Sequence, residues 1–287
     1  MSNFALDKNK SAYKLQGIPP IYWMNLDADT HRRQHMEEQF DYWNIKDHHR
    51  IVGVDARDDD VDVSQHLKGI VPPRLNPGEI GCCMSHMKVI KHMIEETDHD
   101  RILIMEDDID FSTVKCWSFT WNDMISYLPH DWDCMQFTII NPAQVHITLH
   151  PRFINDFSAA AYLITRHNAE KVYRMHVRGN KFKLDNGVRP RATSEDCILL
   201  SGRTYAFPIF NYRLDLGSAI HDEHIDIFHK NSHQGIDQFW IGNGGDVTIE
   251  QLTTYEPYAY VLPPGFDVNG PIPRADDKSQ DGFQDRA

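Results

Sequence analysis

Four carboxylates in five positions, Glu106, Asp107, Asp108 and Asp110, follow directly on the apolar run Ile102-Leu103-Ile104-Met105. Like charges this close repel one another, and a strand exit needs one Asp or Asn at most, so the excess points towards a bound cation. Extended chain alternates sides, which predicts Glu106 and Asp108 on one side and Asp107 on the other. Two same-side carboxylates at a strand end can hold a hard divalent cation such as Mn²⁺ or Mg²⁺ and leave room for diphosphate oxygens. The same acids also suit a solvated turn, and spacing alone does not name a reaction.

The elements around these acids can be read from periodicity. Apolar runs alternate with amphipathic helical patterns, the signature of an α/β domain. A first strand is expected over Ile21 to Leu26, with Asp29 or Thr30 capping a helix that carries Met36, Phe40 and Trp43 at i, i+4, i+7. A second strand is predicted over Arg50 to Val54. Asn76, Pro77 and Glu79 together form a capping-box start for the next helix, whose core face is Ile80, Met84, Met87 and Ile94. The run from Arg101 to Met105 then delivers the acids to the C-terminal end of a buried strand, where open α/β sheets bind their ligands. Further strands are expected over Cys134 to Ile140, Ala159 to Ile164 and Thr204 to Phe210, with helices over His167 to Val177 and Ser194 to Ser201.

Bulk properties narrow the partners. The 287 residues, 41% of them hydrophobic, suffice for one large core, and 42 Asp and Glu against 29 Lys and Arg give a net charge of −13. That charge disfavours nucleic acid or an anionic membrane surface, and an anionic small molecule would need a metal or a few arginines to offset it. No apolar run has the length of a signal peptide or a membrane span, so a cytoplasmic location is expected. The five cysteines, Cys82, Cys83, Cys116, Cys134 and Cys197, have no CxxC spacing and are read as buried free thiols. From about Pro263 the chain is rich in Pro, Gly and Asp and is expected to form an extended tail, residues 263–287.

Three segments together resemble glycosyltransferase family 25. The first is YWMNLDADTHRRQHM, within Ile21 to Met36. The second is Val54-Asp55, although Ala56 stands where the family usually has Gly. The third comprises LNPGEIGCCMSH and LIMEDDIDF, between Leu75 and Phe111. A looser likeness runs through Ala160 to Ile164 and on to Asp196-Cys197-Ile198-Leu199. The resemblance implies a GT-A, Rossmann-like nucleotide-diphospho-sugar transferase fold in a single large domain. Its expected bounds are 20–262, after an N-terminal extension over 1–19, with a donor half to about 112 and an acceptor half beyond it. It also implies transfer of a hexose, galactose favoured and glucose next, from a UDP-sugar to a hydroxyl of a glycan or glycosylated acceptor, with Mn²⁺ or Mg²⁺ and with inversion.

On that reading Glu106 and Asp108 are the leading metal ligands and His221 a late third. Asp107 turns to the ribose or the loop. Asn25 and Leu26 meet the nucleotide, and Asp55 accepts from uracil or ribose. Arg32 or Arg33 reaches the diphosphate or braces the acids. Ser85 and His86 lie off the core stripe of their helix, and are expected either at the nucleotide or in structural hydrogen bonds. Asp196 matches the family's Asp-x-x-Leu position and is the favoured general base, with Glu195 as the neighbouring candidate. Both also suit the first turn of a helix, where acids offset the dipole. The departures at Ala56 and Glu195 keep a second function open, a nucleotide-sugar-binding protein without turnover. A metal-dependent phosphohydrolase is a third.

Overall fold

In β1 (Ile21–Asn25) every residue is buried, and alternation sends Ile21 and Trp23 to one face of the sheet and Tyr22 and Met24 to the other. The same division holds in β3 (Arg101–Glu106), with Leu103 and Met105 opposite Ile102 and Ile104. The apolar interior therefore forms two separate clusters, one on each face. Strands covered on both faces read as continuous apolar runs, which is why β3 is legible without polar alternation. The computed structural model describes residues 9–141, 145–184, 193–217 and 229–254. His221, His224 and the segment 263–287 lie outside the described residues.

In chain order, β1 is followed by α1 (Thr30–Tyr42), β2 (His48–Val52), α2 (Val63–His66), α3 (Pro77–Glu96), β3, β4 (Ile109–Asp110) and α4 (Trp121–Tyr127). Next come β5 (Cys134–Gln136), β6 (His150–Pro151), β7 (Ala161–Thr165), α5 (Arg166–His176), β8 (Val177–Arg178) and β9 (Lys181–Phe182). The last are α6 (Ser194–Leu199), β10 (Thr204–Ala206), β11 (Asn211–Tyr212), α7 (Lys230–Asn243) and α8 (Ile249–Thr253). The central sheet has the order β2-β1-β3-β7-β5-β10-β6. β1 is parallel to β2 and β3, β5 is parallel to β10, and β7 and β6 run against their neighbours. Met36 and Phe40 of α1, Met124 of α4 and Trp240 of α7 cover one face. The other is covered by Met84, Met87 and Ile90 of α3, Val172 of α5 and Ile198 of α6. This is the α/β architecture expected, compatible with a Rossmann-like GT-A domain.

The chain passes from β1 to β2 on one side and returns through α3 to β3 on the other, so a crevice opens between the C-terminal ends of β1 and β3. Two local features fix α3 above it. Asn76 Oδ1 accepts from the Glu79 backbone N–H at 2.8 Å while Glu79 Oε2 accepts from the Asn76 N–H at 2.9 Å, the full capping box. Gly81 lets the helix touch the β2 exit, since a Cβ there would lie 2.4 Å from the Val54 carbonyl oxygen.

Several bounds differ from expectation. β2 starts and ends two residues earlier than the predicted Arg50 to Val54: the Gly53 N–H on the Asn25 carbonyl is the last rung to β1, and the Val54 N–H goes to Ser85 Oγ instead. β5 and β10 stop at Gln136 and Ala206 although the runs beyond them stay buried: Phe137, Phe207 and Phe210 fill the core without continuing a ladder. α7 was not foreseen, and neither was α4.

Candidate active site

β3 ends at Glu106, and Asp107 and Asp108 form a turn before β4. Alternation therefore governs Glu106 and Asp107 but not Asp108. Glu106 follows Ile102 and Ile104 towards α3, and its Oε1 lies 3.3 Å from His86 Nε2. Asp107 follows Met105 towards α1, where Arg32 Nη1 reaches its Oδ1 at 2.9 Å. The turn swings Asp108 to the same arginine, Nη2 to Oδ2 at 2.5 Å. The expectation that Glu106 and Asp108 share a side is corrected: the strand ends too early for the period of two to reach Asp108. Glu106 and Asp108 thus approach the turn from its two sides, with Asp107 between them.

Three carboxylates share one guanidinium in a confined space, with the His86 imidazole beside Glu106. The carboxyl side chains are 30%, 7% and 20% exposed for Glu106, Asp107 and Asp108. Burial raises Asp108 to about 7, with Glu106 and Asp107 adding to the rise and Arg32 opposing it. Burial likewise raises Asp107, against Arg32 and a hydrogen bond from Asn25. Burial would raise Glu106 as well, but the hydrogen bond and charge of His86, with Arg32, hold it below the ordinary carboxylate value. Asp108 Oδ1 is buried with no hydrogen-bond partner. An orphaned carboxylate oxygen beside two further acids suits a hard divalent cation, so the residues present fit the metal that the sequence implied.

The other expected residues fall into two groups. Asn25, Leu26, Arg32, Asp55, Ser85, His86, Glu106 and Asp107 line one cleft of about 560 Å³, counting its open mouth, together with Met24, Asp29, Gly53, Val54, Arg57, Gly78 and Cys82, and Asp108 is not among the lining residues. Within it the Asn25 side chain is committed to bracing: Nδ2 donates to Asp107 Oδ2 at 2.7 Å and to the Asp29 carbonyl at 3.0 Å, and Oδ1 accepts from Arg50 Nε at 2.9 Å. Ser85 Oγ accepts from the Val54 N–H at 2.8 Å and donates to the Gly81 carbonyl at 2.7 Å. Its role is thus to tie α3 to the β2 exit. Asp55 pairs with Arg57 at 2.7 Å, and that hydrogen bond, outweighing burial, lowers its carboxyl.

Arg33 does not join the cluster. One residue along a helix is a rotation of about 100°, so Arg33 faces solvent and pairs with Glu37 at 2.8 Å while Arg32 faces the acids. Glu195 and Asp196 sit in the first turn of α6 beside the cleft, where Ser194 Oγ lies 3.5 Å from Cys82 Sγ. Glu195 Oε1 accepts from the Ser158 N–H at 3.2 Å. The half-buried Arg152 carries charge next to Glu195, Asp156 and Asp196.

Sequence reasoning missed Cys82, Arg57 and Arg152. Cys82 was grouped with the buried thiols, but it is only half-buried and donates weakly to Glu106 Oε1 at 3.9 Å. The available signal was its spacing to His86, i and i+4 on a helix, which places the two one above the other. Cys83, Cys134 and Cys197 are buried free thiols as expected.

A family model described as Glycosyltransferase family 25 (LPS biosynthesis protein) matches residues 18–184, a span that holds the whole cleft but not α6. No curated protein matches the chain. Among solved structures, the crystal structure of A197 from STIV aligns at 8% identity and a TM-score of 0.37, over 69% of this chain and 87% of that one.

Proposed function

Since the chain belongs to glycosyltransferase family 25, we propose that it moves a hexose, galactose or glucose, from a UDP-sugar to a hydroxyl of a glycan acceptor, with inversion. The observation that supports a metal-dependent, diphosphate-bearing donor is the excess of carboxylates over basic groups at the turn, with Asp108 Oδ1 buried and without a hydrogen-bond partner. Asp108 and Glu106 would hold Mn²⁺ or Mg²⁺, which when bound supplies Lewis acidity to the departing diphosphate. Arg32 keeps Asp107 and Asp108 in place by bridging them, and Asn25 fixes Asp107 from the strand side. Leu26 and Val54 offer apolar cover for the nucleoside, and Asp55 with Arg57 sits at the rim where ribose and phosphate polar groups would fall. Asp196 takes the proton of the attacking hydroxyl as the new glycosidic bond forms, with Glu195 as the alternative base.

The deciding experiment is turnover of a UDP-hexose panel with Mn²⁺ and a glycan acceptor. Transfer from one donor, abolished in Asp108→Asn while that variant melts cooperatively, is the expected result. Full activity in Asp108→Asn would remove the central claim. Calorimetric UDP binding without turnover on any acceptor would favour the reading as a binding protein instead.

A further inference from the structure

The wall of the cleft formed by α3 carries a donor set that the acidic turn does not need. Cys82 and His86 are one helical turn apart, and both side chains meet Glu106 from the end of β3. One ligand atom from each of the three lies within 4.8 Å of the other two. The His86 Nε2 to Glu106 Oε1 distance is 3.3 Å and the Cys82 Sγ to Glu106 Oε1 distance is 3.9 Å. A tetrahedral zinc ion with its usual bond lengths requires edges of about 3.4 Å between nitrogen and oxygen and about 3.6 Å between sulfur and oxygen. The first edge is already present, and the second needs a contraction of a few tenths of an ångström, within the reach of a side-chain rotation.

We infer that Cys82 Sγ, His86 Nε2 and Glu106 Oε1 form a binding site for a thiophilic divalent cation of the zinc class, its fourth position open to the cleft. A histidine–carboxylate hydrogen bond accounts for two of these groups, and the thiol, which also lies 3.5 Å from Ser194 Oγ, adds the soft third donor. The other ring nitrogen, His86 Nδ1, is engaged by the Tyr162 hydroxyl at 3.0 Å, the kind of outer contact that fixes the orientation of a ligating imidazole. Cys83, the adjacent cysteine, is fully buried in the apolar cluster between α3 and the sheet, so only one of the pair serves the site. Thiolate and imidazole select zinc-like ions, whereas carboxylates and water suit Mn²⁺ and Mg²⁺. The inference therefore concerns a second metal chemistry in the same cleft. Because Glu106 belongs to both sets, zinc is also expected to inhibit Mn²⁺-dependent transfer, a consequence that rests on the function proposed above.

Titration of the full chain with Co²⁺, a spectroscopic stand-in for Zn²⁺, tests the site through the thiolate-to-cobalt absorption in the near ultraviolet, with Zn²⁺ displacement giving the affinity. The band is expected in the wild type, absent in Cys82→Ser and retained in Asp108→Asn. Zinc affinity should fall on the order of tenfold in Tyr162→Phe. No band in the wild type, a band that survives in Cys82→Ser, or a band lost in Asp108→Asn would each overturn the proposal. Should Cys82→Ser not fold, Tyr162→Phe decides it: weaker zinc binding supports the site, and unchanged affinity overturns it. These readings need no turnover, so failure of the transferase assignment would not register in them.

Discussion

At the scale of single residues, Asp108 is the group whose environment most departs from that of an ordinary side chain. Its carboxyl titrates near 7 in the fold because burial penalises its charge, against roughly 3.9 for an unfolded Asp. Between those values the folded state binds more protons than the unfolded one, so rising pH removes stability across that window, by roughly 1.4 kcal/mol per unit. Melts in the presence of chelator from pH 5 to 8 should show Asp108→Asn losing less stability than the wild type. Parallel pH slopes in the two proteins would contradict the assigned environment. Arg32 is the counterpart: it holds Asp107 through Nη1 and Asp108 through Nη2, a fork that lysine cannot reproduce. Arg32→Lys keeps the charge but should destabilise by on the order of 2 kcal/mol, since a single ammonium leaves one buried carboxylate poorly paired. An unchanged melting temperature would show that charge alone suffices. Of this chemistry, the acids and Arg32 were legible as types in a pattern. That an arginine, Arg32 or Arg33, could brace the acids was legible too, but not that Arg32 takes both aspartates, because that depends on a turn that begins one residue earlier than alternation assumes.

Among the elements, α3 was the most legible. Its capping box, proline and apolar stripe all lie within a short stretch, and local signals of that kind do not depend on what the helix packs against. The second strand was misplaced by two residues because its pairing with β1 ends at the rung from the Gly53 N–H to the Asn25 carbonyl, and the Val54 N–H is taken by Ser85 Oγ instead of by β1. α7 escaped notice because Gly235 and Gly242 interrupt a weak pattern, and its buried Ile236 and Trp240 are fixed only by distant partners such as the Pro208 carbonyl, which accepts from Trp240 Nε1 at 3.0 Å. Gly81 gives the element scale its own test. Helix propensity favours alanine over glycine by about 1 kcal/mol, yet a Cβ at Gly81 would meet the Val54 carbonyl oxygen at 2.4 Å and the Ala56 nitrogen at 3.1 Å, both backbone atoms. Sterics should win, so Gly81→Ala is expected to destabilise by about 1–3 kcal/mol and to loosen the Ser85 clasp on the cleft. A stabilised variant would mean that α3 can retreat from the β2 exit without loss.

For the molecule as a whole, the decisive quantity is the net charge of −13, which surrounds a site in which carboxylates outnumber the basic groups. A UDP-sugar bears about two negative charges at its diphosphate and is repelled by both. A divalent cation is attracted by both and cancels the donor's charge once bound. Long-range attraction of this kind is screened over roughly 8 Å at physiological ionic strength, so the two ligands should differ in their response to salt. Mn²⁺ affinity, read from the rise in melting temperature with metal, is expected to weaken as salt increases from tens to hundreds of millimolar. The donor's KM at saturating Mn²⁺ should change little, because the metal and the diphosphate present almost no net charge together. A KM that rises steeply with salt would point instead to arginines, Arg32 or Arg57 in the cleft, as the main attraction for the diphosphate. The metal would then be left with a smaller part in donor binding than the acidic turn suggests.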